Sequence, residues 1–171
     1  MALSKTQIGA AGEHLFCAVV ILGANGLLEL YRPVSDDDHT DVVAGRKGRV
    51  PNLAIQVKTV RQLDKNGLLE ARATFNGGVP RDDSALLYAI LHIPHLGIEK
   101  AWIMTSTEFN REAYRTTTAT GATSLSVRID PMATANRIRP ELLAQRIHEA
   151  TTGARVRPDD PPPPGSLLVF A

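Results

Sequence analysis

The chain has 171 residues, of which 43% are hydrophobic and 22% are charged, a composition typical of one soluble globular domain. The formal net charge of +1 is too small to indicate nucleic-acid binding by itself, and the single cysteine, Cys17, excludes an internal disulfide. The longest apolar run, residues 15–22, is shorter than the roughly 20 residues that cross a bilayer. We therefore expect a cytoplasmic protein with no membrane partner.

A long helix is predicted at the N-terminus. Ser4 and Gln7 have the spacing of a capping box, and apolar residues then recur at helical intervals as far as about Leu22. Because nearly every side chain beyond Leu15 is apolar, we expect the later turns to be buried on more than one side. The glycines and asparagine of residues 23–26 are expected to end the helix.

Short apolar or alternating segments bounded by turn residues predict strands at residues 27–32, 40–44, 53–60, 68–75, 86–93, 101–105 and 124–129. Thr105 and Glu108 repeat the capping-box spacing and predict a short helix to about Arg115, and Pro140 predicts the first turn of a last helix. This order predicts an α/β fold over residues 1–152, with a mixed central sheet flanked by helices. Residues 153–171 contain five prolines and are predicted to form a linker with an apolar C-terminal tail.

Charge is unevenly distributed around the second and third predicted strands. Residues 46–72 contain seven lysines and arginines against two acidic residues, a local excess of five positive charges, and an acidic cluster at residues 36–41 precedes them. The basic segment would attract a polyanion, and the acidic cluster would repel it unless a cation intervened. Two solvated loops of opposite charge explain the same pattern, so charge alone leaves both interpretations open.

Three polar residues of these two strands are predicted to converge. A hairpin turn centred near residues 48–49 sets Asp41 opposite Gln56, and strand alternation places Lys58 on the face of Gln56. Carboxylate and amide oxygens suit Mg²⁺, and an adjacent ammonium group can orient water or stabilise charge in phosphoryl transfer. The register is an assumption, since a slip of one residue would separate these groups. An ordinary cross-strand Asp–Lys pair beside a glutamine also fits the spacing.

Residues 40–44, Thr-Asp-Val-Val-Ala, and residues 53–59, Leu-Ala-Ile-Gln-Val-Lys-Thr, resemble the signature of the PD-(D/E)XK nucleases. The likeness is to the branch of Holliday-junction resolvases and intron-encoded endonucleases, in which glutamine can replace the second acid. Residues 9–13, Gly-Ala-Ala-Gly-Glu, resemble the first-helix segment of that branch. The resemblance extends over about residues 4–105 and implies a restriction-endonuclease-like fold.

The resemblance also implies a role for each matching residue. Asp41 would be the main metal ligand, Gln56 would take the second acidic position, and the Val57 backbone carbonyl would be a further ligand. Lys58 would be the catalytic lysine, and Glu13 would be an auxiliary metal ligand. The implied reaction is hydrolysis of DNA phosphodiester bonds by a metal-activated water, with Mg²⁺ as the cofactor and Mn²⁺ as an alternative.

The chain departs from the motif in two places. Thr40 stands where the motif has proline, and the neutral Gln56 weakens metal binding unless Glu13 compensates. Cutting two strands would favour a homodimer. Two alternatives stay open: a nucleic-acid-binding domain on the same fold that has lost catalysis, and a protein-interaction module. The basic residues expected to contact a DNA backbone are Arg46, Lys47, Arg49 and Arg61, followed by Arg111 and Arg115.

Overall fold

A six-stranded mixed sheet lies at the centre of the computed structural model, which describes residues 3–33, 39–46, 52–75, 79–119 and 121–153. All but the first residue of the predicted linker and tail lie outside this description. The elements in chain order are α1 (Lys5–Ala24), β1 (Leu28–Tyr31), β2 (Val42–Arg46), β3 (Leu53–Val60), β4 (Leu69–Phe75), β5 (Leu86–His92), β6 (Lys100–Thr105), α2 (Ser106–Glu112), β7 (Tyr114–Thr117), β8 (Thr123–Ile129), β9 (Arg137–Ile138), a 3₁₀ turn (Pro140–Leu142) and α3 (Leu143–Thr152).

The strands of the central sheet follow the order β1-β2-β3-β5-β6-β9. Strands β3 and β5 run parallel, and every other neighbouring pair in this sheet is antiparallel. Strand β3 is therefore paired on both edges, with the β2–β3 hairpin on one side and a crossover connection to β5 on the other. The predicted α/β fold, a mixed sheet flanked by helices, is confirmed.

Helices α1 and α3 cover one face of the central sheet. The predicted capping box of α1 is present: the Ser4 hydroxyl accepts from the Gln7 N–H at 3.2 Å, and the Gln7 amide oxygen accepts from the Ser4 N–H at 2.9 Å. By length and composition alone α1 could cross a membrane, but in this fold it packs against β3 and α3. The buried residues of α1 form one row at four-residue spacing: Gly12, Phe16, Val20 and Ala24.

The prediction that the later turns of α1 are buried on more than one side is wrong. Ile21 and Leu22 are 54% and 60% exposed, although both are strongly apolar. The sheet and α3 contact only one stripe of the helix, so the remaining apolar side chains of its last turns face outward. The apolar pattern predicted the helix correctly, but fewer of its apolar side chains find other elements to pack against than the composition indicated.

Helix α1 approaches β3 most closely at Gly12. A Cβ atom at this position would lie 1.8 Å from the Thr59 hydroxyl oxygen, so a side chain cannot be accommodated unless Thr59 moves. Gly9, one turn earlier, has no atom within 4 Å of the corresponding position. Of these two glycines, only Gly12 therefore permits a close approach of the helix, and this approach is made to the strand that carries Gln56 and Lys58.

A second, three-stranded sheet in the order β4-β8-β7 covers the other face, together with α2. Its apolar side packs on Tyr88 and Trp102 of the central sheet, and the Tyr88 ring stacks on Phe109 of α2 at 3.9 Å between ring centroids. This second sheet was not predicted. The helix expected to reach Arg115 ends at Glu112, and the residues after it form β7 because they pair with β8.

Candidate metal and nucleic-acid site

The β2–β3 hairpin has the register assumed from the sequence. Val42 lies opposite Ile55, and Ala44 lies opposite Leu53. The regular pairing ends at Asp41. The Asp41 N–H donates to the carbonyl of Ile55 at 3.0 Å, but Ile55 is already the pairing partner of Val42. Two residues thus oppose one, as in a β-bulge, and Asp41 lies at a bend beside the Ile55–Gln56 segment of β3.

The Asp41 carboxylate takes over the next hydrogen bond of the ladder. Its Oδ2 atom accepts from the Val57 N–H at 2.6 Å, where a continued ladder would place the backbone carbonyl of Thr40, just before β2. The N–H and C=O of one strand residue point to the same edge of the strand, so the Val57 carbonyl is directed towards this edge as well. A carboxylate and a backbone carbonyl, two oxygen ligands suited to Mg²⁺, therefore share the edge of β3.

Gln56 occupies the position between these two contacts and faces the opposite core from Ile55 and Val57. It is only 3% exposed, and its buried Oε1 atom has no hydrogen-bond partner within the described parts of the chain. A buried acceptor without a partner costs about 1–3 kcal/mol, so it requires an explanation such as a bound cation or water. Its neighbour on β5, Tyr88, also has a buried hydroxyl without a hydrogen-bond partner among the described residues. Burial raises the pKa of Tyr88 to about 12.

Lys58 follows two residues later on the same face of β3 and is half-buried. It lines a cleft of about 810 Å³ at the end of β3, between the first turn of α1 and strand β4. Of the described residues that line it, four are basic and one, Glu70, is acidic. Its lining comprises Leu3, Lys5, Ile8, Lys58, Thr59, Val60, Arg61, Gln62, Glu70, Ala71, Arg72, Thr74 and Pro94.

Glu13 lies on α1 directly after Gly12, and its carboxylate forms an ion pair with the guanidinium group of Arg32. Its role as an auxiliary ligand stays a prediction. Over the described ranges, no group of three or more His, Cys, Asp or Glu side chains is placed to hold a metal ion, and residues 36–38 fall outside those ranges. A metal here would depend on the Asp41 carboxylate together with amide and carbonyl oxygens.

The basic residues expected to contact DNA have different positions. Arg61 lines the cleft and donates to the Pro94 carbonyl at 3.4 Å, whereas Arg46 is half-buried at the end of β2. Lys47 and Arg49 lie outside the described residues. Of the four, the structure therefore places Arg61 in the same cleft as Lys58.

Strand β4 contributes residues to the cleft that the sequence analysis did not assign. Its odd-numbered residues are apolar and buried, and the even-numbered Glu70, Arg72 and Thr74 line the cleft. The Arg72 guanidinium donates to Glu70 at 2.7 Å and to the Ser126 hydroxyl at 3.1 Å. The hydrogen bond from Arg72 holds the pKa of Glu70 below its usual range. The alternation of residues 69–75 was the available signal, but their proximity to Lys58 depends on tertiary packing.

Comparison with known proteins places the fold. No protein-family model and no curated protein sequence matches the chain. Among solved structures, the bacterial homing endonuclease I-Ssp6803I is similar with a TM-score of 0.56 and 14% sequence identity, covering 89% of this chain and 97% of that one. The chain therefore has an endonuclease-like α/β fold, which agrees with the nuclease resemblance of its motifs at the level of the fold.

Proposed function

We propose that this chain is a metal-dependent endonuclease of the PD-(D/E)XK superfamily that hydrolyses DNA phosphodiester bonds at Asp41, Gln56 and Lys58. One observation carries the proposal: Gln56, whose buried Oε1 has no hydrogen-bond partner among the described residues, directly precedes Val57, whose N–H holds the Asp41 carboxylate. The fold shared with a homing endonuclease supports the nuclease class. The ordered motifs in residues 9–13, 40–44 and 53–59 support the superfamily.

The residues present fit a hard divalent cation. The Asp41 carboxylate and the Val57 carbonyl belong to the same edge of β3, and Gln56 offers a buried oxygen to which no described residue donates. Such a cation, Mg²⁺ or Mn²⁺, would stabilise the negative charge that develops on the phosphate during hydrolysis. Since only one of these three ligands is charged, we expect weak metal affinity in the absence of DNA, whose phosphate would complete the site.

The other groups of the site have separate roles in orienting the ligands and the phosphate. The Val57 N–H fixes the orientation of the Asp41 carboxylate. Lys58 points from the same strand into the cleft, where its ammonium group can donate hydrogen bonds to a phosphate oxygen or to the attacking water. To assist as an auxiliary metal ligand, Glu13 would release its ion pair with the half-exposed Arg32 and bind the metal ion instead.

The test is cleavage of supercoiled and branched DNA with Mg²⁺ or Mn²⁺ by the parent protein, Asp41→Asn and Lys58→Gln. Removal of one charge-stabilising group should reduce the cleavage rate about 10²–10³-fold. Lys100→Gln is the matched control, because Lys100 is also a half-buried strand lysine but does not line the cleft. Cleavage that both site variants retain, or a parent that does not cut with either metal, would contradict the proposal.

The second candidate function is a nucleic-acid-binding domain on the same fold that has lost catalysis, and the neutral Gln56 favours it. The two functions differ in the response to Gln56→Glu, which adds a second carboxylate to the site. If the site binds metal, this variant should bind Mg²⁺ at least several-fold more tightly in calorimetry, because affinity rises with ligand charge. Metal-independent DNA binding by the parent, with no gain of metal affinity in the variant, would select the binding domain.

A further inference from the structure

The cleft beside Lys58 is much more basic than the rest of the chain. Its described lining contains four cations, Lys5, Lys58, Arg61 and Arg72, and one acid, Glu70, a net of three positive charges in about 810 Å³. The whole chain has a formal net charge of only +1. Because the excess is concentrated where the candidate catalytic lysine lies, a polyanion would be drawn to this place on the molecule.

Two of these cations are held in defined positions. Arg72 is fixed by Ser126 and Glu70, and its side chain is still 62% exposed, so its guanidinium group remains accessible to a ligand. Arg61 is anchored on the Pro94 carbonyl. Preorganised guanidinium groups lose less conformational freedom on binding a phosphate than mobile ones.

The chemistry of the lining suits a sugar–phosphate backbone. Lys5 extends from the first turn of α1, and Arg72 extends from β4, so cations lie on both sides of the cleft. The lining also includes the apolar Leu3, Ile8 and Pro94, which offer packing surface for sugars. The cleft thus combines charged and apolar surface, as a nucleotide chain combines phosphate and sugar.

We propose that this cleft binds the backbone of a DNA strand next to the scissile phosphate, through phosphate contacts from Lys5, Arg61 and Arg72. The assignment adds Lys5 and Arg72 to the nucleic-acid interface and gives the β4 strand a role in substrate binding. It rests on the proposed function in taking DNA as the ligand. It requires neither a metal nor catalysis, and this makes it separately testable.

The experiment measures binding of a labelled DNA duplex, and of the same sequence as a single strand, in EDTA between about 50 and 200 mM salt. For the duplex, the slope of log affinity against log salt should become shallower by about 0.9 for each of Lys5→Gln, Arg61→Gln and Arg72→Gln, and by about 2.7 for the triple variant. For the single strand, the change should be about 0.7 for each variant. Thermal melting verifies that each variant is folded.

Arg139→Gln is the matched control. Arg139 is 65% exposed and pairs with Glu141 at 3.6 Å, much as Arg72 pairs with Glu70, but it follows β9, three strands away from β3. Its slope should equal that of the parent. An unchanged slope in the folded triple variant would overturn the cleft assignment even if the parent cuts DNA.

The outcomes also separate this inference from the proposed function. Binding that depends on the cleft residues, without metal-dependent cleavage, would support the interface and contradict the nuclease. A single strand that binds more tightly than the duplex, with the same dependence on the cleft residues, would support the interface and identify the form of DNA that enters it. Absence of any salt-dependent DNA binding by the parent would overturn the inference.

Discussion

Replacing Asp41 separates the structural role of its carboxylate from its chemical role. Asp41→Ala leaves the Val57 N–H without the acceptor that now lies at 2.6 Å, in a residue that is 6% exposed. Hydrogen bonds to charged groups contribute about 1.5–3 kcal/mol, so the melting temperature should fall by roughly 3–12 °C. Asp41→Asn keeps an oxygen at the same place, and because a neutral acceptor is about half as strong it should lose only roughly half as much.

The assay pairs thermal melting of the parent and both variants with cleavage of supercoiled DNA. We expect the alanine variant to lose both stability and cleavage, and the asparagine variant to lose cleavage but only roughly half as much stability as the alanine variant. An alanine variant as stable as the parent would refute the inference that the carboxylate completes the β2–β3 ladder. An asparagine variant that still cuts would show that the negative charge of Asp41 is not required.

Two further substitutions test the packing around β3. Gly12→Ala should destabilise the protein by about 1–3 kcal/mol in urea denaturation because its Cβ would overlap the Thr59 hydroxyl, whereas Gly9→Ala should be neutral or stabilising by up to about 1 kcal/mol. Equal effects would contradict the close approach. Burial raises the pKa of Tyr88 to about 12, so between pH 10 and 12 its phenol ionises in the unfolded chain before it does in the folded one. The parent should therefore lose on the order of 2 kcal/mol of stability over this range, and a Tyr88→Phe variant with the same alkaline profile would contradict the assignment.

Local sequence patterns predicted the features of the site that depend on short-range geometry. Both capping boxes, at Ser4 and Thr105, are present because they involve residues only three apart. The hairpin register followed from a turn centre and strand alternation, and these placed Asp41 beside the Gln56 segment. The bulge at Asp41 was not predicted, since it depends on how β2 bends away from β3 rather than on residue types.

The second sheet and the cleft depend on contacts between distant parts of the chain. Strand β4 was predicted from its alternation, but nothing in residues 69–75 identifies residues 123–129 as its partner. Lys5 and Arg72 likewise line one cleft only because α1 and β4 lie beside the same end of β3. The isolation of the Gln56 amide oxygen is also a property of its surroundings, which no local pattern contains.

The pairing of β4 with β8 has a consequence for the nascent chain. About 50 residues separate the end of β4 from the start of β8, and ribosomes add 5–20 residues per second, so β4 waits roughly 2–10 s for its partner. During this interval β4 lacks the strand with which it pairs in the finished fold. The apolar side of β4 is formed by Leu69, Ala71, Ala73 and Phe75. Incomplete chains released before β8 is synthesised therefore expose an unpaired strand of the kind that promotes aggregation and chaperone capture.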